Sequence, residues 1–446
     1  MRFSSLVLCL CLICLSPAVL HAQQAPAVSA APTSINLEEA ISRARANEPG
    51  FAAALAASRV SALDHSIARS ALLPSAVYHN QYLYTQPNGS TNQAGSSGPQ
   101  AAPRFISNNA VREYASQGIV TETIGVKQFT AVSRAAAAAA VAAAELEIAR
   151  RGLVATVVGL FYGSLAADEK VTVAKRAVDE ANSLTTLTQQ RESAREAAHA
   201  DVVKAQLQQQ QRERDLADAA LQAQRSRLEL AVLLFPDPRS PYTLTAATAP
   251  PPLATRAEVE AAATLHNPEL QSALASLHVS SLDVTAARAA YLPDLGLNFT
   301  YGIDAEQFAA RGTGDVRNLG YSASATIDIP VWDWFSTAHR VKQSEILRDT
   351  ARTALSATQR RLVAQLDESY AEAEVARDQI QSLELSVQTA AESLRLTRLR
   401  YAAGEGTVFE VVDAQNSLIA TELAHEDGIV RYQTALANLQ LLTGTI

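Results

Sequence analysis

The stretch PGFAAALAASRVSALDHSIARSALLPSAVYHNQYLY, residues 49–84, is answered by PELQSALASLHVSSLDVTAARAAYLPDLGLNFTYGI at residues 268–303. Pro49, Leu55, Ser61, Leu63, Asp64, Ala68, Arg69, Leu73, Pro74 and Tyr82 recur at one constant offset as Pro268, Leu274, Ser280, Leu282, Asp283, Ala287, Arg288, Leu292, Pro293 and Tyr301. Chance does not easily place so many matches at one spacing, so the chain is one unit written twice. Helix starts recur with it: Asn36 with Glu39 and Thr255 with Glu258, each pair spaced as a capping box. The expected units are a first repeat at 35–235, a Pro-rich linker at 236–254 and a second repeat at 255–446, preceded by a short linker at 23–34.

Each copy carries the same elements. An amphipathic helix runs up to Pro74 or Pro293, where proline and its restricted predecessor end it. Two strands follow. In the second copy Leu295, Leu297, Phe299, Tyr301 and Ile303 alternate with Gly296, Asn298, Thr300 and Gly302, and from Leu319 through Tyr321 and Ile327 to Ile329 the same beat continues. Period two with one apolar face and one small or polar face is a strand signature. The first-copy strands, Ser75 to Thr85 and Arg112 to Ile124, are noisier and Tyr-rich, with a Gly, Ser, Asn and Pro loop between them from Gln86 to Asn109.

A very long helix and a returning helix complete each copy. Leu362, Leu366, Ser369, Ala373, Ala376, Ile380, Leu383, Val387, Ala390, Leu394, Thr397 and Tyr401 step by four and three, and Leu153 to Glu192 does the same. A sustained 3.5-residue spacing is a coiled-coil seam. From Phe335 to Tyr401 such a helix would reach on the order of 100 Å at 1.5 Å per residue.

The 446 residues are 48% hydrophobic, 5% aromatic and 18% charged, with net charge −8. Neither disorder nor nucleic-acid binding suits that balance, the first needing low hydrophobicity and the second a basic face. Arg2, the apolar run Leu6–Leu15 and small residues at Ser16, Ala18 and Ala22 have the order of a secretory signal at 1–22, cut after Ala18 or Ala22. Cys9, Cys11 and Cys14 fall inside it, so the mature chain is expected without thiol chemistry. No later stretch is expected to cross a membrane as a helix; the Ala135–Ala144 run is bland and flanked by Arg134 and Glu145.

Tilted strands of about ten residues suffice to cross a bilayer core, and Tyr78, Tyr82, Tyr84, Tyr301, Tyr321, Trp332 and Trp334 lie on or beside these strands as an interface belt would. An open four-stranded sheet in lipid leaves edge groups unsatisfied at several kcal/mol each. Closure takes at least about eight strands, so several chains must share one barrel. The fold class expected is therefore mainly α with membrane β: long coiled-coil helices plus four transmembrane strands per chain, closing as an oligomeric α/β-barrel channel.

This plan, with Tyr401-Ala-Ala-Gly404-Glu-Gly406-Thr-Val-Phe-Glu410-Val-Val-Asp413-Ala-Gln415 and the terminal Leu441-Leu-Thr-Gly444, resembles the TolC-like outer membrane efflux family from about Ile35 to Gly444. The resemblance implies a homotrimer in outer-membrane lipid whose helices continue as a tapering tube through the periplasm. At the far end it implies a periplasmic adaptor and an inner-membrane pump, in an efflux or type I secretion system. The competing reading is a periplasmic coiled-coil adaptor or scaffold outside the membrane; the alternation at Leu295–Ile303 and Leu319–Ile329 speaks against it, and no lipoyl-like β domain is visible.

No catalytic, metal or cofactor site is expected. The histidines are scattered without an H-E-x-x-H pair, no Gly-rich phosphate loop follows a strand, and His425 beside Glu426 and Asp427 reads as a solvated helix face. The informative place is where each long helix turns back. Gly404 and Gly406 permit that turn, and Glu410 and Asp413 follow one helical turn apart. By resemblance this is the periplasmic tip: Glu410 and Asp413 match ring carboxylates at the entrance, Tyr401 a gate tyrosine, and Asp201 the gate aspartate. The plainer reading makes them solvated charges near helix N-termini, favoured by the dipole for about 0.3–1 kcal/mol. The first tip departs from the second: Arg195-Glu-Ala-Ala-His199 lacks the glycine, and Lys204 stands where the second copy has Asp413.

Overall fold

Prolines cut the entry helices in two where the periodicity alone predicts one. In the computed structural model, which describes residues 33–84, 112–245, 252–305, 307–312 and 317–444, the chain begins with β1 (Thr33–Ile35), α1 (Leu37–Asn47) and α2 (Pro49–Ser70). Extended Glu48 (φ −79°, ψ 118°) sets the corner and caps α2 with Pro49 inside its first turn. β2 (Ser75–Tyr84), β3 (Arg112–Ile124), α3 (Val126–Ser193) and α4 (His199–Leu234) follow, then β4 (Tyr242–Leu244). The order then repeats as α5 (Arg256–His266), α6 (Pro268–Ala289), β5 (Asp294–Ala305), β6 (Leu319–Asp328), α7 (Ser336–Ala402) and α8 (Val408–Thr443). The expected signal at 1–22, most of the 23–34 linker and the Gln86–Asn109 loop lie outside the described residues.

The α5 capping box closes fully, with the Thr255 N–H donating to Glu258 at 3.0 Å. On α1 only half of it forms: Asn36 accepts from the Glu39 N–H at 2.8 Å, while the Glu39 carboxylate turns to Arg43. Two short strands escape the alternation signal. β1 and β4 pair in parallel across the end of the expected N-terminal linker and the middle of the Pro-rich one. At three residues each they are too short to show a period.

The four longer strands form one antiparallel sheet in the order β2-β3-β5-β6. Register aligns the apolar positions of β5 and β6 on a common face, while β2 and β3 are mixed, with Val77 and Ile119 on the opposite face and Asn80, Ser116 and Glu122 on this one. Tyr78, Gly118, Tyr301 and Tyr321 form one row across all four strands, Ala76, Val120, Phe299 and Ala323 the next, and Ile124, Leu295 and Ile327 a third. The opposite face of β5 and β6 carries Asn298, Thr300, Ser322 and Ser324. Leu297, Phe299, Tyr301, Leu319, Tyr321 and Ile327 are all exposed, and Leu295 is half-buried. At Gly302 β3 comes so close that a Cβ would lie 2.2 Å from the Ser116 carbonyl oxygen, so only glycine fits there.

α3 and α7 run for 68 and 67 residues, on the order of 100 Å. Every seam position from Leu362 to Tyr401 is buried or half-buried, as is the matching series on α3. One window of α3 reaches a mean hydropathy of 1.3, enough by length and composition to cross a membrane, which the sequence reading does not anticipate. That helix is nevertheless tied sideways: α2 and α6 pack against it, and Arg134 pairs with Asp283 of α6. Midway along, Ile35, Leu153, Phe161, Leu230 and Leu234 build a core between the β1–β4 pair and the helices. Its second-copy counterpart joins Val259, Leu366, Leu439 and Leu442.

Candidate functional site at the helical tips

Both helical hairpins turn at the same end, and one cluster joins them. Leu184 of α3, Ala205 of α4, Leu394 and Tyr401 of α7 and Val408, Val411, Val412 and Ala414 of α8 pack together. The two turns share one backbone path. The Glu196 N–H donates to the Arg191 carbonyl at 2.8 Å, and the Glu405 N–H donates to the Arg400 carbonyl at 2.9 Å. Each path needs a left-handed residue just before its closing N–H. The second turn uses Gly404 at φ 86°; the first places Arg195 there at φ 65°. Gly406 serves by close approach, since a Cβ there would lie 3.2 Å from the Tyr401 nitrogen.

Tyr401 is 4% exposed, with its hydroxyl 3.2 Å from Thr188 of α3. The Arg191 guanidinium lies 4.8 Å over its ring and donates to its carbonyl oxygen. Asp201 sits half-buried in the first turn of α4, and its side chain has no hydrogen bond or ion pair among the described residues. Tyr401 and Asp201 are therefore not joined within one chain. Thr407 caps α8 by accepting from the Glu410 N–H at 3.3 Å, and the Glu410 carboxylate faces Arg400 at 3.5 Å. Asp413, one turn on, is exposed and unpaired among the described residues. Lys204 stands 4.2 Å over the ring of exposed Phe409, joining the α4 and α8 N-terminal turns.

Arg191 and Thr188 are the residues that sequence reasoning missed. A signal existed, because Arg191 holds in the first turn the place that Arg400 holds in the second. Above the tips, α3 and α8 are stitched by Lys170–Asp427 at 2.5 Å and Arg176–Glu422 at 2.9 Å. Asp427 thus faces α3, and His425 reaches Glu426 at 3.1 Å. Among the described residues no group of three or more potential ligands gathers to hold a metal.

Residues 261–445 match the outer membrane efflux protein family. The match covers most of the second repeat. Outer membrane protein OprJ of Pseudomonas aeruginosa is 26% identical over 172 residues, which is 39% of this chain and 36% of OprJ. Protein CyaE of Bordetella pertussis is 27% identical over 285 residues, 61% of this chain and 57% of CyaE. The alignments thus span little more than a third and a half of these relatives. Among solved structures, the outer-membrane channel OprN is similar with a TM-score of 0.77 at 17% identity, over 92% of this chain and 89% of that one. The CmeC outer membrane channel of Campylobacter jejuni follows with a TM-score of 0.76 at 15% identity, over 92% and 85%. The chain has the fold of these channels.

Proposed function

We propose that this protein is the outer-membrane channel of a tripartite efflux pump or type I secretion system. It conducts substrate passively from a pump and a periplasmic adaptor across the periplasm and the outer membrane. The observation that carries this reading is a sheet whose apolar face, through Leu297, Phe299, Tyr301, Tyr321 and Ile327, is exposed and continuous with helices on the order of 100 Å long. An apolar sheet face without a covering layer suits lipid, and the polar face behind it suits a water-filled lumen.

The assembly that closes the barrel is a homotrimer. Three tiers of the chain support a ring. Strands run β2-β3-β5-β6; below them α2 packs on α3, α3 on α6 and α6 on α7; at the tips α4 packs on α3, α3 on α8 and α8 on α7. Each tier leaves an open edge at either end, one from the first copy and one from the second. Unlike edges joined head to tail generate a closed ring when the rotation closes. The number three follows the family. Glu410 and Asp413 then lie around the narrow end of the tube, the chemistry is non-enzymatic, and the energy comes from the pump partner.

Negative-stain microscopy of the protein extracted in mild detergent tests this. A threefold tube of about 100 Å or more with a short detergent-covered barrel is the expected particle. Soluble monomeric rods would overturn the channel and leave an adaptor or scaffold in its place.

A further inference from the structure

The ion pairs that tie α6 to its neighbours have an unanswered counterpart on α2. Asp283 of α6 accepts from Arg134 of α3 at 2.5 Å, and Arg288, on the other side of α6, reaches Glu345 of α7 at 2.7 Å. The internal repeat puts Asp64 and Arg69 at those positions on α2. By the same repeat α3 stands to α2 as α7 stands to α6, on the Arg69 side, so the side bearing Asp64 is the open edge of the tier. Asp64 is exposed, with no hydrogen bond or ion pair among the described residues. Val60 and Ile67, one helical turn before and after, share its face and are 57% and 65% exposed.

The other open edge belongs to α7. Glu345 points at α6, and at 3.6 residues per turn Arg340, Gln343 and Leu347 fall on the opposite side of the helix. When the hairpins are matched by their turns, Gln343 takes the place of Arg134, and Arg340 lies one turn nearer the sheet on the same face. Arg340 is exposed and makes no ion pair among the described residues, and Leu347 is 57% exposed. α2 runs toward the sheet and α7 away from it, so the two edges meet antiparallel. That direction sets Val60 against Leu347 and brings Asp64 within a turn of Arg340.

We propose that the Val60–Asp64–Ile67 face of α2 docks on the Arg340–Gln343–Leu347 face of α7 in a second copy of this chain, with Asp64 and Arg340 as an inter-subunit ion pair. The proposal rests on the ring reading above and names its seam. An exposed pair adds little affinity; its role is to fix the register between subunits, as Arg134–Asp283 does within one.

Cysteine cross-linking tests it in the full chain, whose own Cys9, Cys11 and Cys14 fall within the expected signal at 1–22. Asp64→Cys and Arg340→Cys are combined, the protein is extracted in mild detergent and oxidised, and its assembled mass is measured by light scattering. Covalent dimers and trimers are expected on non-reducing gels, absent from either single variant. An assembly of normal mass without cross-links overturns the α2–α7 seam and leaves the ring standing. Monomers in the unsubstituted protein overturn both. In a second measurement, Asp64→Arg and Arg340→Asp each reduce the fraction of assembly that survives SDS on warming, and the combined reversal restores it; a combined variant no better than the single ones overturns the ion pair.

Discussion

Arg191 holds Tyr401 by two unlike contacts, its guanidinium 4.8 Å over the ring and an N–H donated to the carbonyl oxygen of the same residue. The end of α3 is thereby fastened to the last turn of α7, the place where a gate at the tip would have to part. The resemblance points to Tyr401 with Asp201, yet within one chain the tyrosine spends its hydroxyl on Thr188.

Tyr401→Phe and Arg191→Ala should therefore behave differently. Thr188 keeps its bond to the Leu184 carbonyl at 2.7 Å, so losing the tyrosine hydroxyl should cost about 0.5–1.5 kcal/mol and leave the open probability unchanged. Losing Arg191 removes a stacked cation and a charged hydrogen bond, worth about 1.5–3 kcal/mol, and should raise the open probability of single channels in planar bilayers. Equal open probability in the two variants would deny Arg191 any part in holding the tip shut.

The paired turns make a backbone prediction. Gly404→Ala puts a Cβ into the left-handed region and should destabilise the second tip by about 1–2 kcal/mol. Arg195→Gly relieves the same strain in the first tip, against the greater freedom glycine gives the unfolded chain, for a gain of at most about 1 kcal/mol. Hydrogen exchange at the amides of Glu196 and Glu405, which close the two turns, reads each effect locally.

Asp413 carries the selectivity prediction. It is exposed and unpaired among the described residues, whereas Glu410 is drawn toward Arg400 at 3.5 Å. A ring of unpaired carboxylates in a narrow mouth focuses the field and favours cations. Asp413→Asn should lower cation selectivity, read as a reversal potential moving toward zero in a salt gradient, and Glu410→Gln should change it less. An unchanged potential would remove Asp413 from the pore.

The sequence made the sheet and the long helices legible because both keep a strict beat: period two through Leu295–Ile303 and 3.5 through Leu362–Tyr401. β1 and β4 are too short to show a period, and the α1–α2 corner hides inside a continuous apolar pattern that only Pro49 interrupts. At the tips the sequence shows the glycine of the second turn but not the role of Arg195, because an arginine gives no sign of the left-handed backbone it adopts. The Arg191–Tyr401 contact joins positions far apart in the chain, and no local rule connects them.

Acid should loosen the junction around Arg151 before the rest of the fold. Arg151 is buried, with its guanidinium donating to Glu147 and to the carbonyls at the ends of α5 and α8, His266 at 3.0 Å and Leu441 at 3.2 Å. The Arg150 guanidinium, with Arg151 behind it, holds the Glu147 carboxyl below its ordinary value in spite of partial burial. A carboxyl lowered by folding contributes stability in full above its unfolded pKa of about 4.3, and that contribution fades as pH falls through the lower folded value. Once Glu147 is protonated, a buried Arg151 has only carbonyl partners, a costly state for a charge. Thermal melts of the wild type should therefore fall below about pH 4.3. Glu147→Gln should start lower and lose less over that range. Parallel acid limbs in the two proteins would show that Glu147 does not set the acid response.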